Sequence, residues 1–305
     1  MVEPKSIDTI SIVGAGFMGA QIGLQCALHG MPVQLTDVSA RALDQAVQAQ
    51  AEILERRVDA GELRPADGRA AQARVRTTTD LRAAVEGADL VLEAVPERID
   101  LKRRVFAQLD ALCAPQTILA TNSSSLRISL IEDVTTRPDR VLNLHFYAPV
   151  WQRTMVDLQR GTATSDETFE RARRFVQRIG CTPLLVLRES TGFVFNRVWR
   201  AVKRECLHLV DDRVASFEDV DRAWMIFNDA PLGPFGLMDM IGLDVIADIE
   251  RVYSKESGDP RDAPPPLLTD KVARGELGVK TGRGFYSYPN PAFEDPAWLH
   301  GDDTG

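Results

Sequence analysis

The residues with the clearest capacity for proton transfer in this chain are His145 and Asp157. His145 lies near the end of the predicted strand 140–146, and imidazole is the side chain that titrates nearest neutral pH. Asp157 lies between Val156 and Leu158 on the next predicted strand, where its carboxylate would stabilise an imidazolium and fix its tautomer. The pair predicts a general acid–base catalyst for an alcohol or carbonyl group, and an exposed edge-strand charge is the alternative for Asp157.

A glycine-rich turn near the amino terminus is the second chemical signal. Gly14, Gly16 and Gly19 spell G-x-G-x-x-G directly after a short apolar run. The first glycine permits a tight turn, the second lets a pyrophosphate approach the backbone, and the third lets the helix pack on its strand. Phe17 and Met18 begin that helix, whose free N–H groups would face the phosphates.

The end of the second predicted strand indicates which dinucleotide fits this turn. Asp37 follows the run 33–36, about 20 residues beyond the turn, as the dinucleotide fingerprint requires. Its carboxylate would accept a hydrogen bond from the ribose 2′-OH and repel a 2′-phosphate, so the sequence predicts NAD. A glycine-rich turn in an ordinary βα unit is the alternative.

Polar residues also follow the fourth and fifth predicted strands. Glu97 and Lys102 could address the nicotinamide ribose and a phosphate, and a solvated charge pair at a helix start is the alternative. Asn122 and Ser124 end the fifth strand, where hydroxyls would cap a following helix, bind a substrate hydroxyl, or do both.

These residues need a parallel sheet to position them. Apolar runs predict strands at 7–13, 32–37, 74–77, 89–95, 117–122, 140–146, 154–158 and 182–187. Helical patterns separate the first six, and the last two, joined by a helix at 166–179, extend one edge. The segment 40–73 predicts two antiparallel helices, and helical segments follow from Gly192. We expect a doubly wound, Rossmann-type α/β domain over residues 1–188 and a smaller all-α domain over 189–305.

Composition restricts the class of protein. The chain has 305 residues and a formal charge of −8, which argues against a general affinity for nucleic acid or an anionic membrane. The four cysteines show no C-x-x-C spacing, so buried thiols without a metal are expected. The start of the sequence has no apolar leader, and we expect a cytoplasmic protein.

Together these motifs resemble the L-3-hydroxyacyl-CoA dehydrogenase family over nearly the whole chain. Six segments are similar to sequence patterns of that family. Residues 121–126 resemble S-N-T-S-S-L, 145–150 resemble H-F-F-N-P-V, and 192–197 resemble G-F-I-V-N-R. Residues 93–97 resemble E-A-x-x-E, 233–239 resemble G-P-F-x-L-x-D, and 278–286 resemble G-x-K-T-G-x-G-F-Y. The resemblance implies hydride transfer between NAD and the 3-position of an acyl thioester, and a homodimer formed by the second domain. It implies catalytic roles for Ser124, His145, Asp157 and Asn196, and cofactor contacts from the glycine turn, Asp37, Ala94, Glu97, Lys102 and Asn122.

The chain departs from the family pattern at several positions. Ala148 replaces the asparagine of H-F-F-N-P, and Asp157 replaces a glutamate, which withdraws the carboxylate by about 1.5 Å. We expect Tyr147 and Trp151 to fill the space beside Ala148 or to stack on a larger acyl group.

Three other functions remain open from the sequence. The basic residues of the segment 40–73, Arg56 and Arg57, do not clearly match the family's CoA-facing positions. A dehydrogenase of a free hydroxy acid, such as a sugar acid or a carnitine-like substrate, is therefore an alternative. A catalytic-lysine dehydrogenase is disfavoured because no lysine precedes Lys203 in the helix that begins the second domain. A non-catalytic NAD-binding protein is disfavoured by the joint presence of Ser124, His145 and Asn196.

Overall fold

A computed structural model describes residues 5–301, and their contacts divide the chain into two compact units between Val194 and Phe195. The first unit contains the strands β1 (Ile10–Val13), β2 (Val33–Thr36), β3 (Val75–Thr78), β4 (Leu90–Glu93), β5 (Ile118–Thr121), β6 (Val141–Phe146), β7 (Met155–Arg160) and β8 (Thr182–Val186). Its helices are α1 (Phe17–Leu28), α2 (Ala40–Asp59), α3 (Pro65–Arg74), α4 (Leu81–Val85), α5 (Ile99–Leu112) and α6 (Asp166–Arg178).

The eight strands form one sheet in the order β3-β2-β1-β4-β5-β6-β7-β8. Neighbours are parallel except β6 and β7, which run antiparallel. The residues of β1, β4, β5 and β6 are all buried, because helices or turns cover both faces of the sheet. The expected doubly wound sheet is confirmed. The strand order reverses between β1 and β4. In sheets of this kind, ligands bind at such a reversal, outside the carboxyl ends of the strands.

The segment between β2 and β3 forms the predicted helix pair. Ser39 caps α2 by accepting a hydrogen bond from the N–H of Ala42, and α3 begins at Pro65, where proline suits the first turn. Leu43, Ala46 and Ile53 face the core from α2, at the spacing expected of an amphipathic helix. The helix pair therefore packs on the core of the first unit with one face and exposes the other face to solvent.

Two sequence predictions were wrong in detail. No α-helix separates β5 from β6; three short 3₁₀ turns, at 128–130, 132–134 and 138–140, make the connection. The hydroxyls that end β5 therefore do not cap an α-helix. Helix α7 (Phe195–Asp211) begins three residues later than expected, because Gly192 and Phe193 adopt positive φ angles of 77° and 50°.

The second unit is helical, as expected of an all-α domain. After α7 it contains α8 (Phe217–Asn228), α9 (Pro234–Ile241), α10 (Leu243–Ser257) and α11 (Pro266–Ala273). Its core is rich in aromatic rings, and Phe235, Phe285 and Trp298 are among the buried members. The prolines at 231–234 interrupt the helices as expected, with Pro234 in the first turn of α9.

Two buried aspartates join separate segments of this helical unit. Asp221 accepts the backbone N–H groups of Phe235 and Gly236 and the hydroxyl of Tyr286. Asp239 accepts the N–H groups of Phe285 and Tyr286 in the same way. Burial raises the pKa of Asp221 to about 6, although these hydrogen bonds oppose the shift. The family-like sequences at 233–239 and 278–286 thus stabilise the fold of this unit.

Candidate active site

The glycine turn has the shape that a dinucleotide requires. Gly14 has a φ of +108°, and a Cβ there would lie 2.6 Å from the carbonyl oxygen of Ala94. A Cβ on Gly19 would lie 1.9 Å from the carbonyl oxygen of Gly14, so only glycine lets α1 pack this closely. A Cβ on Gly16 meets nothing within 4 Å, which leaves open space for a phosphate beside the backbone. Phe17, 72% exposed, borders the same opening.

Asp37 is half-buried beside this turn. One carboxylate oxygen accepts the N–H of Ala15 over 2.9 Å, and the other accepts the N–H of Ser39 over 2.9 Å. The carboxylate therefore joins the glycine turn to the start of α2. Its predicted contact with the adenosine ribose stays a prediction.

A buried ion pair lies behind the end of β4. The ammonium of Lys102 donates to both carboxylate oxygens of Glu93 over 2.7 and 3.0 Å, and both side chains are excluded from solvent. Glu93 also accepts the N–H of Val95 and the hydroxyl of Thr121. The predicted phosphate contact of Lys102 does not fit this burial. The sequence prediction missed Glu93 as its partner, although the charge at the end of an apolar strand was a visible signal.

Glu97 holds the loop that follows β5. Its carboxylate accepts the hydroxyl of Ser123 over 2.5 Å and the N–H and hydroxyl of Ser125 over 2.9 Å each. Burial alone would raise the pKa of Glu97, but these hydrogen bonds and the charge of Lys102 hold that pKa below its usual value. Glu97 thus fixes the residues on either side of Ser124.

Asn122 connects the same loop to β6. Its side-chain oxygen accepts the N–H of Phe146 over 2.9 Å, and the amide of Asn143 donates to the carbonyl oxygen of Ser123 over 3.0 Å. Both amides are buried, so they hold the ends of β5 and β6 in register. The neighbouring Ser124 is exposed.

Ser124, His145 and Asp157 form a chain of hydrogen bonds. The hydroxyl of Ser124 lies 3.0 Å from Nε2 of His145, and Nδ1 of the same ring lies 3.2 Å from Oδ2 of Asp157. The antiparallel register pairs His145 directly with Asp157. Asp157 is fully buried, so it is not an exposed edge-strand charge. A carboxylate on Nδ1 leaves Nε2, which contacts the exposed Ser124, to exchange a proton.

Tyr147 contributes to this chain in a way the sequence prediction missed. Its hydroxyl donates to Oδ2 of Asp157 over 2.5 Å, and its side chain is buried. The expected role of Tyr147 beside Ala148 stays a prediction. Phe193 packs on the other side, with its ring centre 5.0 Å from that of His145.

A cleft of about 510 Å³ opens beside the glycine turn within the first unit. Its walls are the turn, one face of α2 that includes Ala46 and Ala49, and the side chains of Pro149 and Trp151. Glu52 and Arg56 are the charged residues that line it, so the cleft is mostly apolar. The N–H of Val150 donates to Gln21 of α1, which joins this wall to the segment after β6.

Asn196 is half-buried in the first turn of α7 and belongs to the second unit, so its predicted contact with substrate stays a prediction. Among residues 5–301, no group of three or more His, Cys, Asp or Glu side chains could hold a metal ion. No helix in that range is long and apolar enough to cross a membrane. The four cysteines are buried, as expected, and none forms a disulfide within residues 5–301.

Comparison with known proteins identifies the family. The model of the 3-hydroxyacyl-CoA dehydrogenase NAD-binding domain matches residues 9–190, and that of the C-terminal domain matches residues 192–288. A probable 3-hydroxybutyryl-CoA dehydrogenase of Bacillus subtilis is 37% identical over 282 residues, covering 92% of this chain and 98% of that protein. The mitochondrial hydroxyacyl-coenzyme A dehydrogenase of Homo sapiens is 34% identical, covering 92% of this chain and 91% of its own.

A solved structure agrees with this result. The (S)-3-hydroxybutyryl-CoA dehydrogenase of Ralstonia eutropha has a TM-score of 0.86 at 36% identity and covers 93% of this chain and 100% of its own. The fit of the glycine turn to a dinucleotide agrees with the NAD-binding family model. The chain therefore belongs to the 3-hydroxyacyl-CoA dehydrogenase family, and it is an NAD-dependent oxidoreductase of that type.

Proposed function

We propose that this enzyme interconverts 3-hydroxyacyl and 3-oxoacyl thioesters of coenzyme A. The observation that carries the proposal is the hydrogen-bonded chain from Ser124 through His145 to Asp157. Relatives named as dehydrogenases of 3-hydroxybutyryl-CoA and hydroxyacyl-coenzyme A support the substrate class. The apolar cleft beside the glycine turn has room for an acyl or pantetheine chain.

In the oxidative direction, His145 removes the hydroxyl proton of the substrate through Nε2. Ser124 holds the substrate oxygen, and Asp157 accepts the Nδ1–H and stabilises the imidazolium that forms. The resemblance to the family assigns Asn196 a contact with the substrate as well. The NAD that the glycine turn would hold would supply the hydride acceptor for the substrate carbon. In the reverse direction the imidazolium returns the proton to the carbonyl oxygen.

The cofactor site in this proposal is built from the edge of the sheet where the strand order reverses. The turn Gly14–Gly19 would hold the pyrophosphate, and Asp37 would hold the adenosine ribose. Ala94 lines the turn, while Glu97 and Asn122 shape the loop on the nicotinamide side. Lys102 acts through Glu93 and Glu97.

The second part of the proposal concerns assembly and location. We assign residues 1–188 to cofactor binding and residues 189–305 to a helical domain that forms a homodimer. Exposed apolar side chains support the dimer: Phe227 is 89% exposed, and Val245, Ile249 and Val252 are exposed at successive turns of α10. Relatives that act on hydroxyacyl-CoA thioesters support a role in fatty acid metabolism, and four cysteines without disulfides fit a reducing compartment such as the cytoplasm.

A substrate panel tests the thioester assignment. Rates with NADH are measured on short, branched, aromatic and polar 3-oxoacyl-CoA thioesters and on the matching free acids. We expect acetoacetyl-CoA to be reduced, but poorly compared with the preferred thioester, because Ala148 lacks the amide found in the family pattern. A free acid that exceeds every thioester in kcat/KM by more than about tenfold, or about 1.4 kcal/mol of transition-state binding, would refute the assignment.

Substitution of the base tests the mechanism. His145→Gln is expected to lower kcat by about 10²- to 10⁴-fold while NADH binding is retained. His29→Gln is the matched control, because the His29 ring contacts the carbonyl oxygen of Gln25 at the end of α1 and has no part in the proposed proton transfer. A His145→Gln variant with the wild-type rate would show that the proton is transferred elsewhere.

A further inference from the structure

The carboxylate of Asp157 is held by donors from three parts of the first unit. The hydroxyl of Tyr147 donates to Oδ2 over 2.5 Å, and Nδ1 of His145 approaches the same oxygen at 3.2 Å. The N–H of Val194 donates to Oδ1 over 3.4 Å. Asp157 has no exposure to water, so protein groups alone determine the direction in which its carboxylate points.

The three distances rank these donors. A hydroxyl bound to a carboxylate typically lies about 2.5–2.7 Å away, and a charged N–H about 2.7–2.9 Å away. The Tyr147 contact falls in its range, whereas the His145 contact is longer than its range. The hydroxyl of Tyr147 is therefore the group that sets the position of the carboxylate presented to the imidazole.

The ring of Tyr147 has a separate role from its hydroxyl. Its edge meets the imidazole of His145 at a centre-to-centre distance of 4.5 Å and an angle of 71°. Phe193 contacts the imidazole as well, at 5.0 Å. A phenylalanine at position 147 would keep this ring contact and remove the hydrogen bond to Asp157.

Two departures from the family pattern meet at this point. The pattern H-F-F-N-P has a phenylalanine where this chain has Tyr147, and the family's glutamate is Asp157 here. Asp157 is shorter than a glutamate by one methylene, about 1.5 Å, and Tyr147 is longer than a phenylalanine by the hydroxyl oxygen that contacts Asp157. A glutamate at 157 would drive its carboxylate against the Tyr147 hydroxyl, because only 2.5 Å separates the two oxygens now.

We propose that Tyr147 is a positioning residue that replaces the missing methylene of the acid partner. Its hydroxyl fixes the position of the Asp157 carboxylate, so that this shorter side chain still orients His145. The pair Tyr147–Asp157 is therefore functionally equivalent to the phenylalanine–glutamate pair of the family pattern. The proposal deepens the proposed function, since it rests on His145 as the acid–base group.

A double-mutant cycle tests this exchange. The wild type, Tyr147→Phe, Asp157→Glu and the double variant are compared with acetoacetyl-CoA and NADH. Each single variant is expected to lower kcat about 10- to 100-fold, since misplacing a catalytic group by about 1 Å costs up to about 10²-fold. KM and the affinity for NADH should change less than about twofold, because neither residue lies in the glycine turn. The double variant is expected to recover to within about threefold of wild type.

Tyr286→Phe is the matched control for loss of a tyrosine hydroxyl from a buried aspartate. Tyr286 donates to Asp221 in the helical unit, so its loss should lower thermal stability without the selective loss of kcat. Urea unfolding of every variant identifies any that fail to fold. If Asp157→Glu does not fold, Tyr147→Phe and the double variant still decide the question, because the proposal requires the double variant to be faster.

Two outcomes overturn the proposal. One is a Tyr147→Phe variant with the wild-type kcat, and the other is a double variant no faster than Tyr147→Phe. Parallel measurement of His145→Gln separates these outcomes from failure of the proposed function. An inactive His145→Gln beside a fully active Tyr147→Phe leaves the acid–base role intact and removes only the role of Tyr147.

Discussion

Lys102→Met is expected to destabilise the nucleotide-binding unit, because it removes the cation from a carboxylate that water cannot reach. Lys102 and Glu93 are 1% and 0% exposed, and the ammonium contacts both carboxylate oxygens. Removing one partner of a buried pair typically costs about 3–5 kcal/mol. Val95 and Thr121 continue to donate to Glu93, so we expect the lower part of that range, about 3 kcal/mol.

The measurement is urea unfolding of the full chain, followed by far-UV circular dichroism. Arg103→Met is the matched control, because it removes a neighbouring cation on α5 whose partner Asp133 is exposed, and such pairs contribute about 1 kcal/mol or less. Glu93→Gln combined with Lys102→Met should recover most of the loss, since the fully buried charge of Glu93 is then removed together with its cation. A cost below about 1 kcal/mol for Lys102→Met, or a double variant no more stable than the single one, would refute this reasoning.

Two further predictions concern the glycine turn and the helical unit. Gly16→Ala should leave the free energy of unfolding within about 0.5 kcal/mol of wild type but raise the Kd for NADH. Gly19→Ala should lower the free energy of unfolding by about 1–3 kcal/mol, since its Cβ would lie 1.9 Å from the carbonyl oxygen of Gly14. An NADH affinity of Gly16→Ala equal to that of wild type, measured by fluorescence titration, would contradict the first expectation. Because burial raises the pKa of Asp221 to about 6, its carboxyl group binds a proton more tightly in the folded than in the unfolded state, and its contribution to stability is lost as pH rises through that value. The stability advantage of wild type over Asp221→Asn should therefore shrink by about 1–2 kcal/mol between pH 5 and pH 7.5 in urea titrations, and a constant difference would count against it.

The sheet and the identity of the central residues could be predicted from the sequence. The strand candidates are apolar runs bounded by turn residues, and burial on both faces makes such runs easy to recognise. The connection from β5 to β6 was harder, because polar side chains such as Glu132 bond to backbone groups of other segments and replace a helix with short turns. The start of α7 was misplaced because the positive φ of Phe193 leaves no pattern in the sequence.

The polar contacts around the site show where prediction from sequence stops. His145 and Asp157 were paired correctly, since both end or occupy neighbouring apolar strands and the strand register places them opposite each other. The hydrogen bonds of Glu93 to Lys102 and of Tyr147 to Asp157 were not predicted, because they depend on the direction in which each side chain leaves its strand or loop. Those directions follow from tertiary packing, so hydrogen-bond partners far apart in the chain are not encoded in local spacing.

The aspartates of the helical unit have a consequence for how descent can be traced in this family. Asp221 and Asp239 each bind adjacent backbone N–H groups of a distant segment, and these contacts are needed whether or not any reaction takes place. A duplicated gene that had lost its histidine base would still be selected to keep both, as long as its product had to fold. Recognisable ancestry in the carboxyl-terminal third and inherited catalysis are therefore separable traits, and the second is recorded mainly in Ser124, His145 and Asp157.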